Sequence, residues 1–129
     1  MRIALCQLNT IAGDIRGNTQ KIVDSLDRLK GDSPDLVVFS ELFIQGYPPR
    51  DLLENDWFIE QAESAVDELC RISKEYPQTG VLTGAALPIA AQAGKKLTNS
   101  ALLICNGAVL FRQDKSLLPT YDVFDEDRY

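Results

Sequence analysis

In the stretch "DLVVFSELFIQGYPPRDLL", residues 35–53, a carboxylate sits in the middle of an apolar run. Leu36, Val37, Val38 and Phe39 precede Glu41, and Leu42, Phe43 and Ile44 follow it. A charge in such company is costly to bury unless it has work or a partner. Partial desolvation raises a carboxyl pKa, which suits a general acid or base near neutrality. The plainer alternative is a loop glutamate that caps a helix or pairs with Arg50. Lys115 is the second candidate. It follows "AVLFRQD", and its ammonium can stabilise a developing oxyanion near Glu41 if the two strands are neighbours. Against that stands a solvated lysine paired with Asp114.

The chain contains no histidine. Ser-His-Asp and Cys-His arrangements are therefore excluded within it, as are the usual His-containing zinc sites. Proton transfer falls to Asp, Glu, Lys, Tyr or Cys. The three cysteines, Cys6, Cys70 and Cys105, lie in predicted strands or on a helix flank. None is in a loop beside a candidate base, so all three are expected to be core thiols. In "GYPPRDLL", Pro48-Pro49 stiffens the connection. Tyr47 either belongs to an ordinary connector or forms a pocket wall next to Glu41.

The elements that must position these groups follow from periodicity. "RIALCQL" (2–8) is nearly continuous in apolar character and predicts a strand buried on both faces. Asn18 is a candidate cap for the helix "TQKIVDSLDRLK", where Ile22, Val23, Leu26 and Leu29 recur at helical spacing. "LVVF" predicts the second strand, and a helix from Asp56 to Tyr76 has its apolar face on Phe58, Ala62, Ala65, Val66, Leu69 and Ile72. "VLTGAAL" predicts the third strand. "NSALLIC" and "AVLFRQ" flank Asn106-Gly107, the dipeptide of a tight hairpin. The order is β-α-β-α-β-β-β, an α/β chain, with Glu41 past the C-terminal end of its strand, where open α/β sheets bind ligands. The last fifteen residues, "KSLLPTYDVFDEDRY", are loop-like, aromatic and acidic.

The net charge of −6, without a basic patch, argues against nucleic acid as a partner. No apolar run reaches the ~18 residues of a membrane span, and the N-terminus lacks a signal-peptide pattern. Few cysteines, odd in number, fit reduced thiols in the cytoplasm.

Three segments, "MRIALCQLNTIAGDIRGN", "DLVVFSELFIQGYPPRDLL" and "KSLLPTYDVFDEDRY", resemble the nitrilase, or carbon–nitrogen hydrolase, superfamily. "GYPPRDLL" and "LLPTYDVFDEDRY" are most similar to the amino-terminal glutaminase domains of glutamine-dependent NAD synthetases. Ser40 stands where many members have proline, and Thr98 where an aromatic is frequent. The resemblance implies a four-layer α-β-β-α sandwich, of which residues 1–129 are the amino-terminal portion, with no second domain present. It implies a Glu-Lys-Cys triad with Glu41 as base and Lys115 stabilising the tetrahedral intermediate. The nucleophilic cysteine then lies beyond Tyr129, and the chain alone is inactive. Tyr47, Tyr121, Phe124 and Glu126 are implied to line a glutamine pocket. No cofactor is expected for this domain. ATP and magnesium belong to a missing synthetase domain in the rest of the chain, and the full-length protein is expected to be a homo-oligomer. The alternatives are a free-standing amidase or N-carbamoyl hydrolase and a non-catalytic module of the same fold.

Overall fold

The computed structural model describes residues 1–89 and 97–120. The elements are β1 (Ile3–Leu5), α1 (Ile15–Leu29), β2 (Leu36–Val38), a 3-10 turn (Arg50–Glu54), α2 (Asp56–Ser73), β3 (Gly80–Pro88), β4 (Leu97–Cys105) and β5 (Ala108–Asp114). They form one five-stranded sheet in the order β1-β2-β3-β4-β5. The first three strands are parallel, joined by the two helices; β4 and β5 are added antiparallel. This is the expected element order.

Both helices use the apolar faces that their spacing predicts. Ile15, Ile22 and Leu26 from α1 and Phe58, Ala62, Ala65 and Leu69 from α2 pack with Val37, Val81, Ala85, Leu102 and Ile104 of the sheet in one core cluster. The helices therefore cover one face. Apolar side chains on β1 and β5 are left exposed, Leu5 at 75% and Phe111 at 58%. The expectation that the first strand is buried on both faces is incorrect. β1 is a three-residue edge strand with only its middle residue, Ala4, turned inward. The described residues thus build two layers of the expected four, one helical and one sheet.

Two boundaries also differ. Asn18 does not cap α1; the Asp14 carboxylate does, accepting from Gly17 N–H at 2.9 Å. Asn18 lies inside the helix, fully buried. Its amide donates to Ile11 O (2.8 Å) and Ile44 O (3.2 Å), and its carbonyl oxygen accepts from Ile11 N–H (3.0 Å). The sequence signal for a cap was a buried staple between two loops. α2 ends at Ser73, three residues short of Tyr76, and continues as turns. Tyr76 is buried and donates its hydroxyl to Asp27 of α1 at 2.5 Å, joining the helices.

Candidate active site

β2 is short, and the chain leaving it does not turn away. Residues 39–46 run on beside β3: Phe39 N–H donates to Leu82 O at 2.8 Å and Ile44 N–H to Gly84 O at 3.2 Å. At the end of this segment the Gln45 side chain replaces a strand backbone. Its amide donates to Ala86 O at 2.7 Å, and its oxygen accepts from Ala86 N–H at 3.1 Å. Gln45 is fully buried, and so are Phe43 and Ile44. Leu42 holds a left-handed backbone, φ 47°, a conformation that costs a non-glycine residue about 1–3 kcal/mol. Its buried side chain and the bond from Gly46 N–H to Leu42 O (2.8 Å) hold it there.

The apolar residues around Glu41 are therefore core, not a jacket around the carboxylate. Its side chain is 47% exposed, about half in solvent. Position 41 instead rides over Gly84 of β3. A Cβ at Gly84 would lie 2.4 Å from Leu42 N and 3.0 Å from Glu41 Cα. The missing side chain is what lets the loop cross.

Lys115 is reached from the far side of the sheet. β2 and β5 are not neighbours, contrary to the condition set for Lys115; β3 and β4 separate them. The loop's passage over Gly84 closes that gap. Lys115 Nζ lies 2.7 Å from Glu41 Oε1. Asp114 turns elsewhere, accepting from Ser100 Oγ at 2.7 Å and Arg112 Nε at 2.8 Å. The Arg112 hydrogen bond, then the one from Ser100, holds its carboxyl below the usual carboxylate range. Glu41 thus pairs with Lys115 rather than Arg50, and Asp114 with Arg112. An ion pair this exposed adds only ~0–1 kcal/mol to stability, so its geometry matters more than its energy.

Asn99, absent from the sequence-derived candidates, is the third member. Its Nδ2 donates to the same Oε1 at 2.5 Å. Pairing places it there: Ala101 opposes Gly84 on one side and Gln113 on the other, and Lys115 N–H donates to Asn99 O at 2.8 Å. Opposed residues share a sheet face, so Gly84, Asn99 and Lys115 all point away from the helices. Among the described residues, Phe39, Glu41, Leu82, Gly84, Asn99 and Lys115 are among those lining an open cavity of about 360 Å³, a size suited to a small metabolite. Tyr47 is half-buried in the same loop but is not among those walls. Tyr121, Phe124 and Glu126 lie outside the described residues.

The cysteines stay apart from this cluster. Cys105 ends β4, six residues from Asn99, about 20 Å at strand rise. Cys70 is on α2, and burial followed by Asp67 pushes its thiol up. Cys6 follows β1 against Ser25 of α1, and burial pushes its thiol up as well. Raised thiols are protonated and weakly nucleophilic at neutral pH. Among the described residues, no group of three or more Cys, Asp or Glu side chains converges to hold a metal ion. None of their helices is long and apolar enough to cross a membrane.

A carboxylate, an ammonium and an amide thus meet over Gly84 on the open face of the sheet. The carbon-nitrogen hydrolase family model matches residues 2–128. The chain belongs to that family. It is 45% identical to the glutamine-dependent NAD(+) synthetase of Synechocystis sp. over 98% of its own length and 23% of that protein's. Against the enzyme of the same name from Aquifex aeolicus the identity is 36%, over 100% of this chain and 22% of the relative. Among solved structures, the glutamine-dependent NAD+ synthetase of Acinetobacter baumannii superposes with TM-score 0.85 at 32% identity, over 99% of this chain and 23% of that one. An amidase from Nesterenkonia sp. superposes at TM-score 0.79 and 24% identity, a likeness of fold. This carbon-nitrogen hydrolase chain spans under a quarter of the length of the synthetases that it matches.

Proposed function

We propose that the chain is the amino-terminal part of the glutaminase domain of a glutamine-hydrolysing NAD synthetase. The observation that carries this is the 2.7 Å approach of Lys115 to Glu41, in a chain whose relatives bear that synthetase name along its whole length. Glu41 is the base and Lys115 the cation. The nucleophile is a cysteine outside these 129 residues; none of Cys6, Cys70 and Cys105 lines the cavity at Glu41.

In the reaction, Glu41 takes the thiol proton and the thiolate sulfur bonds to the side-chain amide carbon of glutamine. The oxyanion that forms is stabilised by the Lys115 ammonium. The C–N bond then breaks; the proton held by Glu41 goes to nitrogen and ammonia leaves a thioester. Water, deprotonated by Glu41, hydrolyses it to glutamate and returns the thiol. Tyr121, Phe124 and Glu126 contribute to the glutamine pocket, and Tyr47 joins them from the Glu41 loop, outside the walls of the cavity described above. The ammonia is used by a further domain that amidates deamido-NAD with ATP and magnesium. The complete protein works in the cytoplasm, with its thiols reduced, as a homo-oligomer.

The test uses protein expressed from the complete reading frame. Glu41→Gln and Lys115→Ala should each reduce glutamine-driven NAD formation by at least about 100-fold, the range for general acid–base groups. Ammonia-driven formation should persist. Equal loss of both activities would mean a structural role for the pair. A reading frame that ends soon after the nucleophile, with no ATP-using domain, would favour a free-standing amidase.

A further inference from the structure

Two donors converge on one oxygen of Glu41. Lys115 Nζ and Asn99 Nδ2 both bond Oε1, at 2.7 and 2.5 Å, and among the described residues no donor reaches Oε2. A carboxylate whose two oxygens are differently engaged is not a symmetric base. The engaged oxygen is held in place, and the other has its lone pairs available. Building on the role given to Glu41 above, we propose that Asn99 is a positioning residue that fixes the carboxylate through Oε1 so that Oε2 is the oxygen that takes and returns the proton.

Three features support this. Lys115 alone could not set the plane of the carboxylate, because an ammonium is a point charge on a flexible stem. An amide on a strand is a short, directional donor, and Asn99 sits in the middle of a paired segment, with Thr98 opposite Leu87 and Ser100 opposite both Ala85 and Asp114. The neighbouring side chains lock that segment: Ser100 and Arg112 donate to Asp114, and Arg112 also donates to Thr98 Oγ1 at 2.6 Å. The donor thus stands on a rigid element, while Glu41 stands on a loop and depends on outside contacts for its orientation. The Asn99 amide itself carries no acid or base function.

The experiment compares wild type, Glu41→Gln, Asn99→Asp and Asn99→Ala, each in protein from the complete reading frame. Steady-state glutamine hydrolysis is measured beside thermal unfolding. Asn99→Asp keeps the shape but replaces the donor by an acceptor, and Asn99→Ala removes it. Each is expected to reduce kcat by about 10- to 100-fold, as misplacement of a reacting group by about 1 Å does. KM for glutamine should stay within about twofold. Wild-type kcat in Asn99→Asp, or a raised KM at unchanged kcat, overturns the positioning role while leaving Glu41 as the base. Full activity in Glu41→Gln overturns the base assignment, and the positioning role with it. Should one variant unfold, the other gives the kcat and KM comparison.

Discussion

The crossing of the Glu41 loop over Gly84 makes a steric prediction with its own control. In Gly84→Ala the new methyl would sit 2.4 Å from Leu42 N and 3.0 Å from the Glu41 carbonyl carbon and Cα. All three are backbone atoms and cannot rotate away. Non-bonded contacts settle near 3.5 Å, so the loop must lift by roughly 1 Å. The Lys115 and Asn99 bonds to Glu41 are 2.7 and 2.5 Å long, and a lift of roughly 1 Å brings both to or past the limit of hydrogen bonding. Overpacking of this kind costs about 1–3 kcal/mol, while the displaced base should cost about 100-fold in glutamine turnover. The control is Gly80→Ala on the same strand. Its methyl would meet only the Leu103 and Leu36 Cδ1 ends at 3.2 Å, with backbone no nearer than 3.5 Å, and those ends can yield. Urea unfolding and glutamine hydrolysis on both variants, in protein from the complete reading frame, separate the effects. Gly80→Ala should stay within about 1 kcal/mol and twofold in rate. Wild-type turnover in Gly84→Ala, or equal losses in the two variants, would refute the steric account.

Gln45→Leu should destabilise the fold by about 2–6 kcal/mol, because Ala86 N–H and C=O lose their partners in a buried site and each such group costs about 1–3 kcal/mol. A urea midpoint within error of wild type would mean that water replaces the amide. Tyr76 governs alkaline stability. Its hydrogen bond to Asp27, then burial, pushes the phenol from 10.0 up to about 12. A pKa raised in the folded state gives stabilisation that is intact below pH 10 and lost as pH rises to about 12. Tyr76→Phe should be about 1 kcal/mol less stable at pH 8, should draw level with wild type at about pH 11 and should be the more stable of the two by about pH 12. Parallel stability curves through that window would count against the bond.

Much of the scaffold follows from local pattern, because each element carries its own period. Ile22, Leu26 and Leu29 mark α1, and Asn106-Gly107 forms the hairpin turn with φ of 44° and 93°, as a two-residue loop of this kind requires. Glu41 was legible as a charge just past an apolar strand. The residues that fail are those whose role is set by distant chain. Asn18 has a cap's chemistry but is used to tie Ile11 to Ile44. The exposure of β1 depends on what lies beyond the sheet, which its own apolar run cannot report.

Lys115 shows the difficulty most sharply, because its position depends on one extra residue. Counting back from Asn106-Gly107, Cys105 opposes Ala108 and Ile104 opposes Val109. A regular hairpin would continue with Leu103 opposite Leu110 and arrive at Asn99 opposite Asp114. Lys115 would then oppose Thr98, on the helix-covered face, and its ammonium would point away from Glu41. The observed ladder slips: Leu103 opposes Phe111, with the irregularity between Leu103 and Ile104. From there on every residue of β5 changes face, Ser100 meets Asp114, and Lys115 comes level with Asn99. A bulge of one residue re-aims a side chain in this way. Its trace in the sequence is the consecutive apolar run Val109-Leu110-Phe111, which breaks the alternation of a strand exposed on one face. Hydrophobic content alone hides that break, and hairpin length alone gives the wrong face. The candidate site depends on two departures from regular sheet, a glycine where Glu41 crosses and a bulge where Lys115 turns.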